Sequence, residues 1–219
     1  MATPTTETYN SLEEAYNFFN SRLFDGRLPP CLLTLQRKGK RTLGFFSPAR
    51  FETEDGESSD ELAMNPIHFT ARELVDTLST LVHEMTHVEQ QHFGKPGRRG
   101  YHNKAWGSLM KRVGLYPSNT GKPGGKETGQ QMTHYVMPGG AFEAASGELL
   151  ARGFAFAWGE AGATKEGEGD DPDDPDQPKK KPDRSNRIRF MCNACTAKAW
   201  GKPTLQVMCG RCKLDMLPR

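Results

Sequence analysis

His83-Glu84-Met85-Thr86-His87 puts two imidazoles four positions apart with a carboxylate between them. On an α-helix, residues i and i+4 project from one face, so both rings can hold one zinc at about 2.0–2.1 Å. Glu84 is one position on from His83, about 100° round the helix axis. Its carboxylate therefore falls beside the metal rather than on it. From there it can take a proton from a water acidified by zinc, which is the general-base role in peptide hydrolysis. The competing reading is a pair of solvent-facing helix histidines that flank an acid.

A catalytic zinc takes three protein ligands and keeps one position open. His102 is the favoured third ligand. It follows Arg98-Arg99-Gly100-Tyr101 and precedes Asn103 near the expected start of a helix, and a short loop would return it to the metal. Glu127 and Glu143 stand as acidic alternatives. His92 lies about 900° of helical rotation from His83 and is expected to face the other way. A metzincin would need Gly at position 90 and His at 93; Gln90 and Phe93 exclude that class. His68 is expected to cap or pack. His134 and Tyr135 read either as plain strand residues or as cleft donors to a tetrahedral oxyanion.

A second constellation closes the chain. Cys192-x-x-Cys195 and Cys209-x-x-Cys212 offer four thiolates at zinc-ribbon spacing, which predicts a closed, structural zinc site. Cys31 stands apart as a small apolar residue. Around the ribbon cysteines, Arg187, Arg189, Lys198, Lys202, Arg211 and Lys213, with Phe190 and Trp200 among them, suit phosphate contacts and base stacking.

Charge is strongly segregated over the 219 residues. Residues 1–159 carry 17 basic and 17 acidic side chains, residues 160–176 one Lys against eight acids, and residues 177–219 eleven basic and two acidic groups. A basic tail beside a metal module points toward nucleic acid. Within the neutral part, residues 95–126 hold eight Lys or Arg and no acid, and residues 51–61 hold six acids and no base. No apolar run reaches the roughly 20 residues of a membrane span. The N-terminus has neither the basic start nor the apolar stretch of a secretory signal. Two Cys-x-x-Cys pairs fit metal in a reducing compartment better than disulfides. A cytoplasmic protein is the expectation, nucleoid-associated if bacterial.

The elements must position these groups. Tyr9, Leu12, Tyr16, Phe19 and Leu23 recur at helical steps. Cys31 to Gln36 and Thr42 to Phe46 predict strands joined by the basic turn 37–41, and the acidic stretch Glu52 to Glu61 reads as a loop. Thr70-Ala71-Arg72-Glu73 has the pattern of a capping box, ahead of Leu74, Leu78, Leu81, Val82 and Met85 on a helix that Gly94 and Pro96 end. A further helix is expected from Asn103 to Val113. Residues 117–130 read as a loop unable to build a core element, Met132 to Met137 as a strand, Ala141 to Arg152 as a helix, and Phe154 to Trp158 as a strand or aromatic tail. Residues 160–186 have the composition of a disordered linker, and the segment from Ile188 is too small to fold without a metal.

The HExxH motif, the later Gly100-Tyr101-His102-Asn103 ahead of Ala105-Trp106, and the terminal ribbon together resemble the SprT-like family, which includes Spartan-type DNA-dependent metalloproteases and their bacterial relatives. The resemblance covers about residues 8–159 and 188–219. It implies His83, His87 and His102 as zinc ligands and Glu84 as catalytic base. The long linker and the Gly-rich 117–130 segment depart from the bacterial pattern. The expected architecture is an α+β, zincin-like metalloprotease domain over 1–159, a linker over 160–187 and a zinc ribbon over 188–219, holding one catalytic and one structural zinc. The expected function is peptide-bond hydrolysis directed by DNA of single-stranded character to DNA-bound or crosslinked proteins. The rival readings are a nucleic-acid-binding regulator with structural zincs, and a DNA-independent peptidase with one dedicated substrate.

Overall fold

The computed structural model describes residues 2–37, 39, 42–98, 100–161 and 188–218. The chain divides into two compact units, Met1–Asp174 and Pro175–Arg219. The expected linker lies outside the described residues except for Glu160 and Ala161, and Arg187 lies outside them as well.

The larger unit mixes helices with small sheets. Helix α1 spans Pro4–Leu23, with Thr3 as N-cap accepting from Thr6 N and Pro4 at the first position, where a missing N–H costs nothing. It buries Leu12, Ala15, Tyr16, Phe19 and Leu23. Strands β1 (Leu32–Leu35), β2 (Gly44–Glu52) and β3 (Ser58–Met64) form a sheet in the order β1-β3-β2. Both strands that the sequence predicts before residue 47 are present, and β3 sits between them, parallel to β1 and antiparallel to β2. One sequence expectation changes here. Most of the acidic stretch is a hairpin rather than a loop. Glu61 is buried and accepts from Thr34 and Gln36, while Asp60 accepts from Ala49 N at the irregularity in β2.

A short helix α2 (Ile67–Ala71) precedes helix α3 (Leu74–Phe93), which packs against α1, β2 and α4 and lies at the centre of the core. Its start departs from the capping-box expectation. Glu73 is the N-cap and makes no side-chain capping bond, and the Thr70 hydroxyl donates instead to the Glu160 carbonyl at 2.8 Å. Leu78, Leu81, Val82, Met85 and Val88 are fully buried, and Gly94 ends the helix. Helix α4 (Lys104–Arg112) is capped by Asn103, whose side-chain oxygen accepts from Trp106 N at 2.9 Å.

Gly114 turns the chain at φ +88°, with Phe142 N 2.7 Å from where a Cβ would stand. That conformation and that close approach require glycine. Strand β4 (Leu115–Ser118) then pairs antiparallel with β5 (Thr133–Val136), so part of the 117–130 segment is strand after all, with Ser118 buried. Helix α5 (Ala141–Ala151) stacks Phe142 on Phe19 at 5.7 Å. The aromatic tail forms no strand; Phe156 stacks on Phe69 at 4.4 Å.

The smaller unit has strands β6 (Ile188–Met191), β7 (Lys198–Gly201) and β8 (Leu217–Pro218) in the order β7-β6-β8, all antiparallel. Its buried cluster contains Phe190 and Met216 together with Cys192 and Cys209. No helix among the described residues is long and apolar enough to cross a membrane.

Candidate functional site

Helix α3 carries His83 and His87 on one face, one turn apart, with ring centroids 5.3 Å from each other. Past Gly94 the chain turns back. Gln90 donates through Nε2 to Asn103 Oδ1 at 2.9 Å and to the Lys95 carbonyl at 3.2 Å, tying the end of α3 to the start of α4. His102, just ahead of that cap, pairs with Gly129 through two backbone hydrogen bonds, His102 N to Gly129 O at 2.8 Å and Gly129 N to His102 O at 3.1 Å. Its ring arrives 4.8 Å from that of His87 and 5.6 Å from that of His83. One donor nitrogen from each of the three rings lies within 4.8 Å of the other two. Among the described residues, this set and the four ribbon cysteines are the two groups close enough to share a metal ion.

Trp106, from the first turn of α4, is fully buried beneath this cluster. Its ring lies parallel to His87 at 5.2 Å and edge-on to His83 and His102 at 4.9 and 4.4 Å. In the sequence Trp106 is only a near neighbour of His102; its position against all three rings depends on the turn between α3 and α4.

Electrostatics favour the donor set. Burial, and then the neighbouring His134, His87 and His102, push the His83 pKa well below the ordinary histidine value. Burial, followed by His102, brings His87 to about 3. His102 is also lowered by burial, partly offset by hydrogen bonds to the backbone of Gly129 and Gln130. Neutral imidazoles with free lone pairs are what a zinc ion requires. His102 Nδ1 lies 3.2 Å from the Gly129 carbonyl, which commits that nitrogen as a donor and leaves Nε2 for a metal. The residues present therefore fit a zinc ion held by three histidines. Glu84 is buried beside His83, and its Cγ is 3.3 Å from where a Cβ on Gly44 would stand, at the start of β2.

Of the remaining sequence candidates, His134 reaches the cluster and the others lie elsewhere. Glu127 is exposed on Lys111 at 2.7 Å and also accepts from Tyr116. Glu143 accepts from Gly139 N at 2.6 Å ahead of α5. His92 faces Asp60 at 2.6 Å, away from the cluster, and the His68 carbonyl accepts from Thr77 at 3.2 Å. His134 touches the cluster from behind: its Nδ1 is 3.1 Å from His83 Nδ1 and its Nε2 is 2.9 Å from Ser79 Oγ. With both nitrogens engaged, His134 has no donor left for an oxyanion. Tyr135 alternates to the other face of β5 and stacks on Tyr116 at 5.1 Å. The basic run 95–126 is partly structural, since Arg112 binds the buried Glu89 at 2.5 and 2.6 Å.

The four cysteines sit on two matching turns. In each, the residue after the second cysteine donates to the first cysteine's carbonyl, Thr196 to Cys192 at 2.9 Å and Lys213 to Cys209 at 2.8 Å. Thr196 and Lys213 both adopt left-handed backbone, φ 58° and 55°. Cys195 and Cys209 sulfurs are 3.5 Å apart. Backbone N–H groups of Cys212 and then Arg211, with a further contact from Cys195, lower Cys209 to about 6, while contact with Cys195 drives Cys212 up to about 12. One thiol that ionises readily among crowded neighbours is the state that a bound cation would resolve. Phe190 is in the core, so it cannot stack on a base; Trp200 is 62% exposed. The register sets Trp200 opposite Arg189, and Lys198 opposite Met191, on the sheet face away from Phe190. Lys202, Arg211 and Lys213 are exposed.

The family model described as SprT-like matches residues 12–124. An "Uncharacterized protein in mucB 3'region" from Salmonella typhimurium is 55% identical over 60 residues, which cover 27% of this chain and 80% of that one. No solved structure matches the chain.

Proposed function

The chain belongs to the SprT-like family, and from that membership and the histidine cluster we propose a zincin-like, zinc-dependent endopeptidase that DNA directs to its protein substrates. The observation that carries the reading is the meeting of His102 with His83 and His87, beside a buried Glu84 on the same helix. A bound zinc would act as a Lewis acid toward water and the scissile carbonyl. His83, His87 and His102 would hold it. Glu84 takes the proton from the attacking water and returns it to the leaving amine, so that one carboxylate serves both halves of the hydrolysis. Trp106 fills the space behind the three rings and keeps water from that side. In this reading the four cysteines hold a second, structural zinc and make the terminal unit a zinc ribbon.

DNA recruitment is supported by the ribbon's open face. Its exposed Trp200 between cationic neighbours suits the stacking of an unpaired base with phosphates alongside, and favours single strands without sequence preference. A tether between a peptidase and such a module raises the local concentration of proteins bound to the same strand. Cleavage of a DNA-binding protein by zinc-loaded enzyme, with and without single-stranded DNA, tests both parts, with Glu84→Gln of verified zinc content as control. Fragments that need Glu84 and DNA are expected. Glu84-dependent fragments indifferent to DNA would remove the recruitment step, and fragments that persist in Glu84→Gln would remove the mechanism.

A further inference from the structure

A fourth histidine, His134, lies against one of the three proposed ligands, His83. Ser79 fixes where the protons lie. Its hydroxyl donates to the Asp76 carbonyl, one turn back on α3, at 2.8 Å. A hydroxyl has one proton, so toward His134 Nε2, 2.9 Å away, the Ser79 oxygen can only accept. Nε2 of His134 therefore carries the ring's proton. A neutral imidazole has one N–H, which leaves His134 Nδ1 as a bare acceptor. Facing it at 3.1 Å is Nδ1 of His83. Two bare nitrogens at that distance would repel, so His83 Nδ1 carries a proton and its lone pair is on Nε2.

From this geometry we infer that His134 is a positioning residue which, oriented by Ser79 and the Asp76 carbonyl, holds His83 in the tautomer whose Nε2 is the metal donor. His102 reaches the same state by another route, through the Gly129 carbonyl. One ligand is thus set by a backbone acceptor and the other by a side-chain relay across two elements, α3 and β5. The relay differs from the usual carboxylate or carbonyl partner of a zinc-bound histidine. A neutral ring adds no negative charge behind the metal, so it fixes orientation while making the ligand less basic than a carboxylate would.

The inference rests on the metal-site reading above, and the test separates the two. Full-length protein loaded with zinc at both sites is titrated with a chelator, the cysteine site serving as internal reference. His134→Leu removes the acceptor and is expected to weaken the histidine site by about 10–100-fold with the cysteine site unchanged. His134→Asn, whose side-chain oxygen can accept from His83 Nδ1, is expected to recover most of that loss, and Ser79→Ala to fall between. Long-range 15N–1H spectra of the metal-free parent read the tautomers directly, and are expected to show protons on Nε2 of His134 and Nδ1 of His83. Parental affinity in His134→Leu, an Asn variant as weak as the Leu variant, or a proton on His134 Nδ1 would each overturn the relay. A parent that holds zinc only at the cysteines would overturn the metal site itself, whatever the tautomers. Should His134→Leu fail to fold, Ser79→Ala and the parent spectra still decide the matter.

Discussion

His102 and Gly129 are joined by a reciprocal pair of backbone hydrogen bonds, 2.8 and 3.1 Å long, 27 positions apart in sequence. A segment without helix or core strand of its own between Asn119 and Met132 thereby holds the third imidazole against α3. The loop is a part of the site.

Gly129→Pro tests that dependence. Proline removes the N–H that bonds His102 and forces φ from +159° to about −65°. Zinc affinity at the histidine site is expected to fall about 10–100-fold, as for other losses of ligand support, while the cysteine site is untouched. Equal affinity in chelator titrations would show that His102 is placed without the bridge.

Glu89 is buried at 1% exposure, binds Arg112 with both oxygens and also meets Arg27, with Arg112 reaching on to the Leu23 carbonyl. This network ties α1, α3 and α4 together behind the histidines. Arg112→Ala leaves Arg27 as the remaining partner and is expected to destabilise the larger unit by about 1.5–3 kcal/mol. Urea unfolding followed by tryptophan fluorescence checks it, and a change below about 0.5 kcal/mol would mean that Arg27 suffices alone.

The depressed histidines make metal-free stability depend on acid in one direction. Burial holds His87 and His134 down to about 3, and His83 is lowered too. The unfolded chain titrates near 6.5. Between those values the unfolded state binds more protons, so stability is full above pH 6.5 and drains away as pH falls toward 3. Denaturation midpoints of metal-free protein at pH 7.5, 6 and 5 are expected to decrease in that order. A flat profile would show that the rings are solvated.

Phe190 and Met216 are the only buried apolar side chains other than cysteine in the described residues of the smaller unit. Two such side chains cannot offset the ordering of some thirty residues. Stripping zinc with a strong chelator is expected to collapse amide dispersion for residues 188–218 while the helices of the larger unit persist. Retained dispersion there would make the four cysteines dispensable.

Trp200→Ala should weaken single-stranded DNA binding by about 5–100-fold, the worth of one stacked base. Arg189→Ala should instead flatten the salt dependence of binding. Fluorescence anisotropy at several salt concentrations separates the two effects. If Trp200→Ala binds as the parent does, the open face is not a stacking platform.

Sequence determined the local chemistry. The i, i+4 histidines and Glu84 depend only on helical geometry, and the helix around them was plain from its apolar period and from Gly94. The paired cysteine turns were equally plain, since two residues between cysteines fix each knuckle. Where local spacing misleads, the competing contact is distant in sequence. Thr70 looked like a helix cap because local partners were the only ones visible, yet its hydroxyl bonds Glu160, 90 positions away. The turn between the first two strands says nothing of their partners, and β3 lies between them in the sheet. Choosing His102 over Glu127 and Glu143 as the third imidazole-site partner could be favoured from spacing, but only the turn tied by Gln90 and Asn103, and the bridge to Gly129, put it there. His134 shows the limit most clearly. Its distance from His83 in sequence says nothing about a shared hydrogen bond, because pairing across β5 and α3 is set by how whole elements pack, and that energy is spread over the core rather than written in either residue.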